Sequence, residues 1–473
     1  QAEDGIRDVE RSRGLGDVYK RQKHNDGEPI SHNKRRVFRT ILASKFGFHS
    51  NAPSMPCVPV STQECHREKH GTCGAAPCPA LGTRLLDRGE WRHDPRAVEA
   101  VKKEGKALVD AGVWNQTTVT ERADLVAQAK SSGRSIHMGN LMSICSIKFA
   151  EMEAKDHVHK GRIVFRGDDV RTETGAYAIF QELSSCPTNV SDANANVAYG
   201  SIAGNSTSQA DAVKAYVQSK LKSLCPTWVA IPRELWHPSW EARGFVRPMC
   251  RLERALYGHP EAGGHWEAHL TEAILKMGGE KIPNHLSSFW FPQQKLFLTI
   301  YVDDLLLPGP TSEHTAFWER LGKVVEIEPP TNLDRFIGRG HVVRDATPKG
   351  RTVMFDMCEF AQSAVDQYKE ITGQTSLKSA STPFCPDGSL TVDGDVEKGE
   401  LAGVACSVLM KQLWLARLAR PDLQKPIGDL ASRVTTWSRN CDKKLHRLVC
   451  YLNSSKRDRL MGKVYDPPEQ LQL

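Results

Sequence analysis

The stretch LFLTIYVDDLLLPG, residues 296–309, places two adjacent aspartates inside an otherwise apolar run. That conflict constrains the fold more than any other feature of the chain. Residues 296–302 are all leucine, aromatic or β-branched, the composition of a buried strand. Two ionised carboxylates cannot be left unpaired in such surroundings, so something cationic must meet them. The simplest arrangement is a strand, a tight turn at Asp303–Asp304 and a returning strand stopped by Pro308-Gly309. It carries the carboxylates at the tip of a hairpin over a cleft.

Magnesium suits such a tip, because it takes carboxylate oxygens and shares its remaining positions with phosphates and water. Two ions held ~3.5–4 Å apart, as in phosphoryl-transfer centres, require a third carboxylate. Asp211 in STSQADAVKAYVQSKL is a candidate, lying at a polar-to-helical junction. Spacing alone leaves it equally a helix N-terminal acid interacting with the dipole.

A chain of 473 residues exceeds what one core usually serves, so two or three subdomains are expected. Its 40% hydrophobic and 25% charged residues are those of an ordinary soluble globular protein. No apolar segment approaches the ~20 residues of a spanning helix, and no membrane is expected. The net charge of +7 is concentrated: residues 433–463 hold nine Lys/Arg against Asp442 and Asp458. Such a patch suits nucleic acid, although a solvated helix face would carry the same charges. Thirteen cysteines without a secretory signal indicate reduced thiols inside a cell. Cys57, Cys65, His66, His70, Cys73 and Cys78 have ligand-type side chains, but their gaps match no familiar zinc pattern, and a loop of free thiols is the expectation.

The first 21 residues lack apolar periodicity and are expected to be a non-native leader; residues 22–89, polar and rich in His, Cys and Pro, read as linker or disordered segment. Order is expected from DPRAVEAVKKEGKALVDAGVWN, where Asp94-Pro95 marks a helix start and Val98, Val101, Leu108 and Val109 recur at helical spacing. Near the other end, a helix with Val404, Val408 and Leu415 on one face should stop before Pro421. DKKLHRLVCYLN should turn Leu445, Leu448, Val449 and Leu452 inward, with Lys443, Lys444 and Arg447 outward.

Beyond these readings, Tyr301-Val302-Asp303-Asp304 resembles the catalytic signature of reverse transcriptases. The order of the surrounding blocks resembles the polymerase of copia-type long-terminal-repeat retrotransposons, over about residues 90–465. HKGRIVFRGDDV resembles the family's fingers block, ADAVKAY the block of its first catalytic aspartate, and CRLERALYGHPEAGGHW its LYGLKQA block, with His259-Pro260-Glu261 in place of Leu-Lys-Gln. LDRFIGRGHVV, STP at 381–383 and ARPDL at 419–423 resemble later landmarks.

The resemblance implies an α+β right-hand polymerase: fingers at 90–205, a palm with a small antiparallel sheet at 206–345, a thumb at 346–400 and a mostly helical basic connection at 401–473, cut off before a ribonuclease H domain. It implies an RNA-directed DNA polymerase extending a primer with deoxynucleotides. Two magnesium ions, or manganese, would sit on Asp211, Asp303 and Asp304. Lys160, Arg162, Arg166, Tyr216, Tyr301 and Glu261 would meet the nucleotide, with Tyr216 excluding a 2′ hydroxyl. An acid at Glu261 would repel a triphosphate unless it points away or pairs with a cation. Lys443, Lys444 and Arg447 would track the template–primer duplex. The implied partners include ribonuclease H and integrase portions of one polyprotein, and the implied setting is an intracellular, cytoplasmic particle whose product reaches the nucleus. The rival expectations are an inactive nucleic-acid-binding relic and a different two-metal enzyme such as a nuclease.

Overall fold

The computed structural model describes residues 83–148, 157–181, 185, 187–347 and 350–464. The expected leader, most of the expected linker and the Cys57–Cys78 cluster lie outside the described residues. Helices and strands are mixed, with three sheets that are antiparallel apart from one parallel pair, as the α+β class requires.

Order begins earlier than the composition implied. Strand β1 (Thr83–Leu86) is followed by helix α1 (Arg88–His93), whose start is a reciprocal capping box between Asp87 and Glu90. Helix α2 (Pro95–Asp110) then opens where expected, with Asp94 accepting from the Arg96 N–H and Pro95 at the first position. It buries Ala97, Val101, Gly105 and Leu108. A Cβ on Gly161 would lie 2.5 Å from the Ala100 carbonyl, so glycine is what lets α2 lie against the neighbouring strand.

That strand, β4 (Val158–Phe165), belongs to the first sheet with β1, β2 (Trp114–Glu121), β3 (His137–Lys148), β5 (Arg171–Thr172), β7 (Thr227–Ala230) and β8 (Pro248–Leu252). Helix α3 (Arg122–Ser132) buries Leu125 and Ala129 beside it, in one small cluster with Met138 and Met249. Strands β7 and β8 fall within the span expected to form the palm, yet they complete this first sheet. The chain thus leaves the first sheet, forms part of the second, returns, and leaves again.

The second sheet runs β13-β6-β12-β11-β10-β9: β6 (Asn205–Asp211), β9 (Glu280–Lys281), β10 (Ser288–Phe291), β11 (Leu296–Tyr301), β12 (Asp304–Pro310) and β13 (Thr331–Asn332). Strand β12 contains Pro308 and Gly309, which were expected to end it. Its register with β11 stops at Leu306, so on that side the ladder asks no donor of Pro308. Helix α4 (Val190–Gly200) meets one face, where buried Asn196 donates to Thr299 Oγ1 at 2.6 Å. After the short helices α5 (Ala215–Gln218) and α6 (Pro238–Ala242), helices α7 (Ala262–Lys276) and α8 (Thr311–Gly322) pack Trp266, Leu270, Phe317 and Leu321 into one core with Leu298, Ile300, Leu305 and Leu307.

The third sheet holds β14 (Arg335–Phe336), β15 (Arg339–Thr347), β16 (Gly350–Asp356) and β17 (Leu460–Val464). The expected palm–thumb boundary at 345/346 falls inside β15, and the C-terminal region returns as β17 against β16. The helices of this part of the chain, α9 (Cys358–Thr372), α10 (Asp393–Val396), α11 (Ala405–Leu418), α12 (Gln424–Ala431) and α13 (Arg439–Ser454), pack on one another. Helix α13 buries Leu445, Leu448, Val449 and Leu452 as its periodicity requires. Val404, expected on the buried face of α11, is the residue preceding that helix and is 37% exposed. Among the described residues no helix is long and apolar enough to cross a membrane, and the cysteines are free thiols.

Candidate active site

The hairpin that carries the paired aspartates turns one residue earlier than expected. Tyr301 pairs with Asp304, which leaves Val302 and Asp303 as a two-residue loop and makes Asp304 the first residue of β12. The shift puts Val302 at a φ of 60°, in the left-handed region that a β-branched residue strongly resists. Two contacts hold the loop there. The Val302 carbonyl accepts from the indole Nε1–H of buried Trp266 at 2.7 Å, and the Asp303 carbonyl accepts from the Ala212 N–H at 2.8 Å.

Starting β12 at Asp304 sets the chemistry. Asp304 is the direct cross-strand partner of Asp211, the last residue of β6. Directly opposed residues share a face of the sheet, with Cβ atoms about 4.5–5.5 Å apart. With Asp303 adjacent in the loop, three acids from two distant segments meet at one edge. Burial pushes the Asp304 carboxyl up to about 8, and the negative charges of Asp303 and Asp211 push in the same direction. Among the described residues no three His, Cys, Asp or Glu side chains already converge as a metal cage. The aspartates would therefore hold an ion together with oxygens from elsewhere. Magnesium, which keeps water and phosphate ligands, tolerates that.

The other blocks singled out in the sequence contact one another. The ring of half-buried Tyr216, on α5, lies 4.8 Å from that of Tyr257. The Tyr257 carbonyl accepts from the Phe165 N–H at 2.7 Å at the end of β4. Gly258 has a φ of +87°, and a Cβ there would collide with the Phe165 carbonyl at 2.1 Å; only glycine fits this junction. Lys160 and Arg162, half-buried, alternate with Gly161 and Ile163 along β4. Arg166, just past its end, is exposed and paired with Asp168 at 2.9 Å. Tyr301 ends β11 opposite Asp304.

Glu261 takes an internal place. It is 2% exposed, and its carboxylate accepts from the Gln181 N–H at 3.0 Å and from the Ser223 hydroxyl, with His265 Nε2 3.7 Å away. Burial opposes its ionisation, but these donors outweigh burial and hold it down at about 2. Glu261 is thus a buried anchor at the start of α7. Burial lowers neighbouring His259 to about 3, leaving it neutral.

The basic residues of α13 stand apart: that helix packs on α9, α10 and α12. Lys443 is exposed and Lys444 half-buried, while Arg447 donates from Nε to the carbonyls of Thr382 and Phe384 at 3.0 and 3.2 Å, tying down the STP segment.

Three further residues with contacts between distant elements were not singled out in the sequence. Trp266 is one. Lys214, with a φ of 47°, starts α5 and pairs with Glu104 of α2 at 3.0 Å. Buried Arg339 donates to the Leu418 carbonyl at the end of α11 and to Asn194 Oδ1 on α4, at 3.1 and 2.8 Å. Left-handed backbone at a lysine and side-chain contacts across 79 and 145 residues leave no periodic trace in a sequence. No family model matches the chain, and no curated protein matches it.

Proposed function

We propose that this chain is an RNA-directed DNA polymerase of the copia type, extending a primer with deoxynucleotides on an RNA or DNA template. The observation that carries this reading is the direct register of Asp211 with Asp304, with Asp303 beside them at the hairpin tip. Burial and the charges of Asp303 and Asp211 hold the Asp304 carboxyl up at about 8, which favours a bound cation there. When bound there, magnesium would supply the charge that lowers the pKa of a 3′ hydroxyl and steadies a leaving pyrophosphate.

The reading gives the other residues these roles. Lys160 and Arg162 on β4 offer cations to a triphosphate; Arg166 does so after releasing Asp168. Tyr216, backed by Tyr257, presents a rigid ring that leaves no room for a 2′ oxygen. Glu261 acts by setting α7 rather than by touching nucleotide. Lys443 and Lys444 serve duplex phosphates as point charges. In this reading the fingers and palm of a polymerase hand are the first and second sheets, with ribonuclease H and integrase as polyprotein neighbours and an intracellular particle as the setting.

Single-nucleotide incorporation with magnesium tests it: the wild type incorporates and Asp211→Asn does not. A folded chain that binds primer duplex yet incorporates nothing would instead mark an inactive relic.

A further inference from the structure

Val302 combines two features that rarely coincide: a branched Cβ and a left-handed φ of 60°. Left to itself, the loop would relax by rotating about the N–Cα bond of Val302, carrying with it the Val302 carbonyl and the Asp303 that follows. That rotation would swing the Val302 carbonyl off the Trp266 indole. Trp266 is 2% exposed, so losing this partner would cost its N–H a hydrogen bond. The next carbonyl, of Asp303, is held from the other side by the Ala212 N–H, directly after Asp211. Two successive carbonyls of the turn are thus gripped by different elements, one by α7 and one by the segment leaving β6. Helix α7 is itself fixed five residues earlier by the buried carboxylate of Glu261, with its hydrogen bonds to the Gln181 amide and Ser223. A line of contacts therefore runs from Glu261 through α7 and Trp266 to the loop bearing the acids.

We infer that Trp266 is a positioning residue: its indole N–H clamps the strained Val302 peptide and so presents Asp303 and Asp304 jointly to a divalent cation. The metal role of these acids rests on the polymerase reading above; the clamp does not. A glycine at 302 adopts the same φ without strain and does not need the clamp. Trp266→Phe, which removes the N–H along with some ring volume, should therefore be rescued at the turn by Val302→Gly, which relieves the strain.

The experiment is hydrogen–deuterium exchange over residues 301–306 together with Mn2+ binding read by electron paramagnetic resonance, on the full chain without nucleotide. Trp266→Phe is expected to speed exchange of the turn and weaken Mn2+ binding, each roughly two- to tenfold, the usual worth of one hydrogen bond. Adding Val302→Gly should return both toward wild type. Unchanged exchange in Trp266→Phe would overturn the clamp, and so would loss without rescue, which a simple packing defect produces. A wild type that binds no Mn2+ but shows the exchange effect and its rescue would support the clamp and remove the polymerase reading. Should Trp266→Phe not fold, Val302→Gly alone decides: a thermal midpoint at or above wild type supports the strained turn, and a marked drop overturns it.

Discussion

Asp304 and Asp211 stand directly opposite each other on neighbouring antiparallel strands, 93 residues apart in the chain, as the first residue of β12 and the last of β6. Nothing in a sheet's own stability favours two acids there, since like charges opposite each other destabilise the pair. The arrangement makes sense as a place for positive charge.

Its first consequence is a pH dependence. Folded, metal-free chain keeps the Asp304 proton up to about pH 8, whereas an unfolded aspartate loses it near pH 4. Between those limits the folded state binds the extra proton, so this group's contribution is full below about pH 4 and is lost as pH rises to about 8. Asp304→Asn removes the penalty. Its thermal midpoint in chelator should exceed that of wild type by a gap that opens from pH 4 to pH 8, worth on the order of a few kcal/mol. Added Mg2+ should close the gap by raising wild type alone. Equal midpoints above pH 8 would contradict the charge crowding.

Glu261 behaves with the opposite sign. Held at about 2, it contributes stability that is present above the ordinary glutamate range and is lost as pH falls from about 4.5 to about 2. Glu261→Leu leaves the Gln181 amide and Ser223 hydroxyl without their acceptor and should cost about 1–3 kcal/mol at neutral pH. Urea unfolding at neutral and acid pH checks both statements: the difference from wild type should shrink as the pH approaches 2.

Tyr216→Ala should admit ribonucleotides. In the proposed reading the ring against Tyr257 is the bulk that would exclude a 2′ hydroxyl, and its removal should raise the ribonucleotide-to-deoxynucleotide ratio of kcat/KM by roughly tenfold to a hundredfold. Competitive incorporation of the two sugars gives the ratio, and unchanged discrimination would end the steric account.

The basic helix divides into two kinds of residue. Lys443→Ala and Lys444→Ala should each weaken duplex binding and lower the salt slope by about one, without loss of stability. Arg447→Ala should also lower the thermal midpoint, because it releases the carbonyls of Thr382 and Phe384. Salt titrations of duplex affinity alongside melting curves separate the two.

How far the sequence spoke depended on the range of the forces involved. Helices α2 and α13 were legible because local signals agree: a cap at Asp94 with Pro95 after it, and leucines at 445, 448 and 452 on one face. The hairpin of the acids was legible, but its turn was placed one residue late, since a valine reads as strand and only the grip of Trp266 and Ala212 holds it left-handed. The opening β1–α1 unit was missed because its capping box, Asp87 with Glu90, introduces only six helical residues. The return of β7 and β8 to the first sheet, and of β17 to β16, depends on pairing across long stretches of chain, which leaves no periodic mark. Glu261 was expected among the residues that meet the nucleotide, and the donors that bury it instead come from residues 181 and 223, which no local pattern links to it.

The central claim is that Asp211, Asp303 and Asp304 act as one centre for templated nucleotide addition. Primer extension by the full chain on an RNA template, with deoxynucleotides and magnesium, tests it most directly beside the Asp303→Asn variant. The account predicts extension by the wild type and none by Asp303→Asn, with both binding the primer duplex equally well. Extension that survives Asp303→Asn, or none from a folded wild type that binds the duplex, would contradict it.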